Sequence, residues 1–130
     1  MPLDIKKLLE RNALIIAVLA TVILAVLSLI SVPKLNLGLN IKSGDKYLHF
    51  IAYFGLTMLW AFALKVRTSS RVSKFFVPLA VIFYGIILEG LQGGLTTYRT
   101  ADIYDALANA AGVMAAMVVF SRIYKWYRTI

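Results

Sequence analysis

Apolar and polar positions follow one another along this chain in long blocks, with no residue-by-residue alternation. Residues 12–32 form the clearest block, 21 positions without a charge. A helix rising about 1.5 Å per residue needs roughly 20 such positions to cross a hydrocarbon core. Three further apolar runs cover about 46–64, 75–95 and 103–121, the third broken only by Glu89 and Gln92. Pro33, Gly44 and the Gly93–Gly94 pair punctuate the runs, as turn-forming residues do. The pattern predicts an all-α, polytopic membrane protein, a bundle of four transmembrane helices forming a single domain over 1–130. No internal repeat or low-complexity segment interrupts it.

Composition sharpens the class. With 61% hydrophobic and 15% charged residues the chain lies far from soluble globular proteins. The absence of cysteine excludes disulfides, thiolate metal sites and thiol nucleophiles. A net charge of +8 raises the question of nucleic acid, but the basic residues fall in short clusters between apolar runs and make no continuous basic face, so no nucleic-acid partner is expected. Lys6, Lys7 and Arg11 resemble the start of a signal peptide, yet the apolar stretch after them is too long and lacks a small-residue cleavage site. An uncleaved helix is expected.

The same clusters predict orientation, because Lys and Arg near span ends are retained in the cytoplasm. The first tail, the 65–74 connection and the last tail hold Lys6, Lys7, Arg11, Lys65, Arg67, Arg71, Lys74, Arg122, Lys125 and Arg128, ten of the fourteen basic residues. Both termini are expected inside and the 33–45 and 94–102 loops outside, with Tyr124, Trp126 and Tyr127 in an inner interfacial belt.

Polar groups then gather at the other end. Asp45, His49 and Tyr53 share an i, i+4, i+8 stripe; Glu89 and Gln92 are i, i+3 neighbours; Asp102, Asp105 and Asn109 occupy one arc of the fourth helix. An acid facing hydrocarbon costs roughly 2.5–3.5 kcal/mol at a helix centre. Inward placement is therefore expected, giving an outward-opening polar pocket lined by His49, Glu89, Gln92, Arg99, Asp105 and Asn109. Rows of small residues (Ala108, Gly112, Ala116 and Ala111, Ala115) suit close packing and suggest a central fourth helix.

Each group has a plainer reading beside the chemical one. His49 with Glu89, Asp102 or Asp105 has the donor types of a zinc or manganese site, but no local ligand motif accompanies it, so a hydrogen-bonded histidine is preferred and no metal is assigned. Asp102 and Asp105 have the makings of an acid–base pair, while Asp102 and Asp45 suit helix caps better. Glu89, a turn or more inside its run, needs a partner such as Arg99 or Lys46; those two cations are equally suited to grip an anionic ligand group. Asn109 reads first as interhelical glue.

"DKYLHFIAYFGL" (45–56), "LEGLQ" (88–92) and "RTADIYDALANAAG" (99–112) together resemble the VanZ-like family. The resemblance spans three of the four apolar runs; the first run and the 33–44 loop add nothing to it. It implies a small protein of the bacterial inner membrane, in a family named for a member linked to resistance to the glycopeptide teicoplanin. Asp45, Lys46, His49, Glu89, Gln92, Arg99, Asp102, Asp105, Asn109 and Gly112 would be its signature positions.

The functional expectation is a protein of the cell envelope that acts on an amphiphile with an anionic head, such as a membrane lipid or a lipid-linked cell-wall intermediate, with Lys46 and Arg99 at the head. Lys46, His49, Glu89, Gln92, Arg99, Asp102, Asp105 and Asn109 are the candidate ligand-binding residues, and Asp45 and Gly112 structural ones. The alternatives are a membrane-embedded hydrolase or transferase, with catalytic candidates His49, Glu89 and Asp105, and a structural partner of another membrane protein. No cofactor is expected, and a homo-oligomer stays open.

Overall fold

The computed structural model describes residues 2–30, 44–68, 71–95 and 102–130. Four helices carry them: α1 (Leu3–Leu29), α2 (Gly44–Lys65), α3 (Val77–Leu95) and α4 (Ile103–Thr129). Each span is long and apolar enough to cross a membrane, which is compatible with a multi-pass membrane protein. A π-helical turn, Val72–Phe76, leads into α3. Its cause is local: Pro78 has no N–H to offer the carbonyl of Lys74 four residues back, so the chain widens before it.

The helices run longer than the apolar blocks. α1 begins nine residues before residue 12 and α4 continues eight residues past 121, because Lys, Glu and Arg are good helix formers and intrahelical bonding does not stop where hydropathy falls. Gly44 opens α2 as the first helical residue, while Gly93 and Gly94 lie in the last turn of α3 instead of in the connection after it. Pro33 lies outside the described residues.

Cross-helix contacts set the topology. Arg67 reaches the carbonyls of Glu10 and Arg11 while Trp60 meets Thr21, so α1 and α2 are antiparallel. Ser73 donates to the carbonyl of Ala61 and Tyr53 stacks near Tyr84, which makes α3 antiparallel to α2. Lys46 lies beside Asp105 and Phe62 beside Tyr124, so α2 and α4 run parallel. α2 and α3 each pack on all three other helices, α2 far more extensively, and α4 packs along α2 and α3, so the central position falls to α2. The reason is Gly112, where a Cβ would overlap the carbonyl oxygen of Phe50. That bare backbone lets α2 and α4 meet along their length, with Val113 and Ala116 fully buried beside it. In the second small-residue row, Ala111 is exposed.

The core is thin and the outside greasy. Tyr53, Leu56, Ala61, Val77, Val81, Val113 and Phe120 form the main buried cluster, while Ile15, Ile23, Phe83, Leu79 and Val118 are more than half exposed. Water would penalise such faces; hydrocarbon would not.

Candidate functional site

The N-termini of α2 and α4 and the C-terminus of α3 converge at one end, and six of the sequence-selected polar residues meet there. Asp102 is the N-cap of α4, its carboxylate accepting the Tyr104 N–H at 2.8 Å. That hydrogen bond first, and the Lys46 ammonium second, hold its carboxyl below the usual carboxylate range. The Asp102 N–H in turn donates to Glu89 Oε1 at 2.7 Å. Glu89, buried at 6% exposure, therefore extends the cap from a neighbouring helix and clamps the end of α3 to the start of α4.

Lys46 sits between two acids, 3.4 Å from Asp102 and 3.3 Å from Asp105. His49, one turn along α2, brings Nδ1 to 3.0 Å from Asn109 Oδ1 and Nε2 to 3.7 Å from Asp105. Since the amide oxygen accepts, Nδ1 carries the proton in this arrangement, leaving Nε2 as the ring atom able to take up another. Asn109 is buried at 3% and also lines the narrow space beside Gly85, where a Cβ would come within 2.9 Å of the Tyr53 ring and 3.3 Å of the Asn109 amide nitrogen.

The expected open pocket lined by all the polar groups is thus largely filled by its own side chains. A shallow recess of about 410 Å³ lies to one side, bounded by Lys46, Tyr47, Phe50 and Ala108. Gln92 reaches toward a different helix: its amide donates to the Ser28 carbonyl at 2.8 Å, tying α3 to the end of α1. Burial explains this, because α1 runs parallel to α3 and its last carbonyls lack intrahelical donors. Arg99 lies outside the described residues. Asp45 falls within the first turn of α2, after its opening Gly44 and not ahead of it as a cap would be; its side chain lies outside the described residues.

Sequence reasoning passes over a second polar network. The Thr21 hydroxyl accepts from Trp60 Nε1 at 2.9 Å and donates to the Ala17 carbonyl, while Tyr84 donates to the Thr21 carbonyl. Thr21 so links α1, α2 and α3 in mid-bundle. The available signal was a hydroxyl near the middle of the uncharged 12–32 run.

Among known proteins, the chain is 32% identical over 84 residues to an uncharacterised protein of the fission yeast Schizosaccharomyces pombe, a match covering 63% of this chain. The chain spans about half the length of that curated relative. No protein-family model matches the chain, and no solved structure matches it. The VanZ-like resemblance is therefore set aside. With it go the bacterial inner membrane, glycopeptide resistance and the cell-wall intermediate, all of which rested on the resemblance; the relative found is eukaryotic. The structure supplies a physical reason for the misleading pattern. Asp102 caps a helix, Asn109 holds a histidine, and Gly112 admits the Phe50 backbone. Each of those residues has a packing role in this structure.

Proposed function

We propose that this chain is a multi-pass membrane protein whose polar end binds an amphiphile with an anionic head. In this reading the ligand's apolar chain lies along the recess at Tyr47, Phe50 and Ala108, and its head meets Lys46. The observation that carries it is the pairing of a cation with an apolar floor in one recess. Lys46 and Asp102 are each about a third exposed (35% and 37%), and their contacts are long. Ion pairs so exposed are weak, so an anionic head can take the place of a carboxylate at Lys46 at little cost. The basic clusters favour the end with α1's start and α4's finish facing the cytoplasm, and the polar end the opposite side.

A second reading has its own support. His49, with Nδ1 anchored on Asn109 and Nε2 directed toward Asp105, has the geometry of a positioned general base, the arrangement a membrane-embedded hydrolase or transferase would use.

Native mass spectrometry of protein extracted with its lipids separates these readings. A retained anionic amphiphile, lost in Lys46→Gln, supports binding; equal retention by the wild type and Lys46→Gln refutes it. Turnover of a retained lipid that stops in His49→Ala, with binding intact, favours the catalytic reading.

A further inference from the structure

A second groove, of about 510 Å³, runs between α2 and α4 toward the basic end. Gly55, Leu59, Ile123 and Trp126 form its sides with the rings of Tyr124 and Tyr127. Gly55 lies near the middle of α2, and a Cβ built there meets nothing within 4 Å, so the groove is open where a side chain would have closed it. From Gly55 to Lys65 the helix rises ~15 Å, half of the roughly 30 Å hydrocarbon thickness. The groove's lining runs from Gly55 to Phe62 on α2 and from Phe120 to Tyr127 on α4, ~10 Å of helix rise, so it fits within a single leaflet and Lys65 stands about one turn beyond its end.

Cations stand at its mouth. Lys65 Nζ lies 5.6 Å from the Tyr124 ring centre and Lys6 Nζ 5.3 Å from that of Tyr127. Both rings line the groove, so two ammonium groups from different helices are held above an apolar channel. Arg122, Lys125 and Arg128 follow on α4. We infer that this groove is a binding site for one anionic phospholipid of the leaflet at the basic end, its acyl chain running to Gly55 and its phosphate beside Lys6 and Lys65. An acyl chain restores the dispersion contacts that an unfilled groove forfeits. The ammonium groups supply the preference for negative charge. This site is distinct from the polar-end recess and does not depend on it.

The test is native mass spectrometry of the full chain from nanodiscs of phosphatidylglycerol and phosphatidylcholine mixed in equal parts. At this groove, and besides any amphiphile held at the polar end, the wild type is expected to retain one phosphatidylglycerol with a preference of about tenfold or more. Gly55→Leu, which fills the open space, is expected to lose that adduct at unchanged melting temperature. Lys6→Gln with Lys65→Gln, which removes the two half-buried ammonium groups over the tyrosine rings, is expected to bring the two lipids to equal retention while the protein still melts cooperatively. Lys46→Gln is expected to leave the adduct in place, which separates this site from the one at the polar end. Equal retention of both lipids by the wild type, an undiminished adduct in Gly55→Leu, or a dimer of the chain that Gly55→Leu dissociates would each overturn the assignment.

Discussion

The two ends of the bundle use charge in opposite ways. Among the described residues, one cation, Lys46, stands with three acids, Glu89, Asp102 and Asp105, at the polar end; at the other, ten basic residues stand with two acids, a net +8. The described charges of the polar end are spent inward: Glu89 on a backbone N–H, Lys46 on Asp102 and Asp105, Asp102 on its own helix. At the basic end they are spent on rings and carbonyls. Lys6 and Lys65 stand over tyrosines, Arg67 closes α2 on the Ala63 carbonyl and reaches α1, and Glu10 accepts from Tyr127. The lesson is that a buried polar knot organises helices, whereas an unbalanced rim is available to something outside the protein. Two glycines repeat the contrast: Gly112 is closed against the Phe50 backbone and Gly55 is open.

The largest test of this contrast is Gly112→Leu. Its side chain has to displace backbone, so a loss above the usual 1–3 kcal/mol of overpacking is expected, about 4 kcal/mol or outright failure to give monodisperse protein. Gly55→Leu, at the open glycine, is expected to melt with the wild type. Equal melting temperatures for the two leucine variants in detergent would abolish the distinction between a closed and an open crossing.

Next in size is Glu89→Ala, which removes the acceptor of a buried N–H and should cost about 1–3 kcal/mol. Glu89→Gln keeps an acceptor oxygen and should retain most of the stability. If the two variants prove equally damaging, the charge of Glu89 matters more than its hydrogen bond, and the knot is held electrostatically.

A smaller effect is expected at His49 and Asn109. Each alanine variant should lose roughly 0.5–1.5 kcal/mol, and a double-mutant cycle should show the losses to be less than additive. Independent losses would mean that the pair at 3.0 Å contributes nothing shared.

Asp102 predicts a pH dependence. Its carboxyl titrates lower in the folded protein, chiefly because of the Tyr104 N–H and then Lys46. Its contribution is therefore complete above the ordinary Asp value of about 3.9 and fades as pH falls through the lower folded-state value. Acid titration followed by circular dichroism should show Asp102→Asn less sensitive than the wild type below that pH. The smallest change is expected at the basic rim, where Lys125→Gln should leave stability within about 0.5 kcal/mol.

Sequence and structure part company at identifiable residues. The four helices were legible, since an uncharged run such as 12–32 has few other ways to satisfy its backbone in hydrocarbon. So was the gathering of Lys46, His49, Glu89, Asp102, Asp105 and Asn109 at one end, because i, i+3 and i, i+4 spacing fixes which side chains share a helix face. Gln92, placed in that group, also reaches α1 through the Ser28 carbonyl, and Thr21 went unseen as a hub. Helix rotation decides both cases, and periodicity within one helix carries no information about which neighbour its face will meet.

By itself, then, the sequence determined the four helices among the described residues, the basic rim and the polar end. These follow from local hydropathy and charge, which every residue carries wherever its neighbours lie. Only the tertiary structure decided that Lys46 is shared by two carboxylates, that Glu89 caps a helix it does not belong to, and that space is closed at Gly112 and open at Gly55. Those outcomes depend on how closely and at what rotation α2, α3 and α4 cross, a property of packed surfaces that emerges when all four helices are in place.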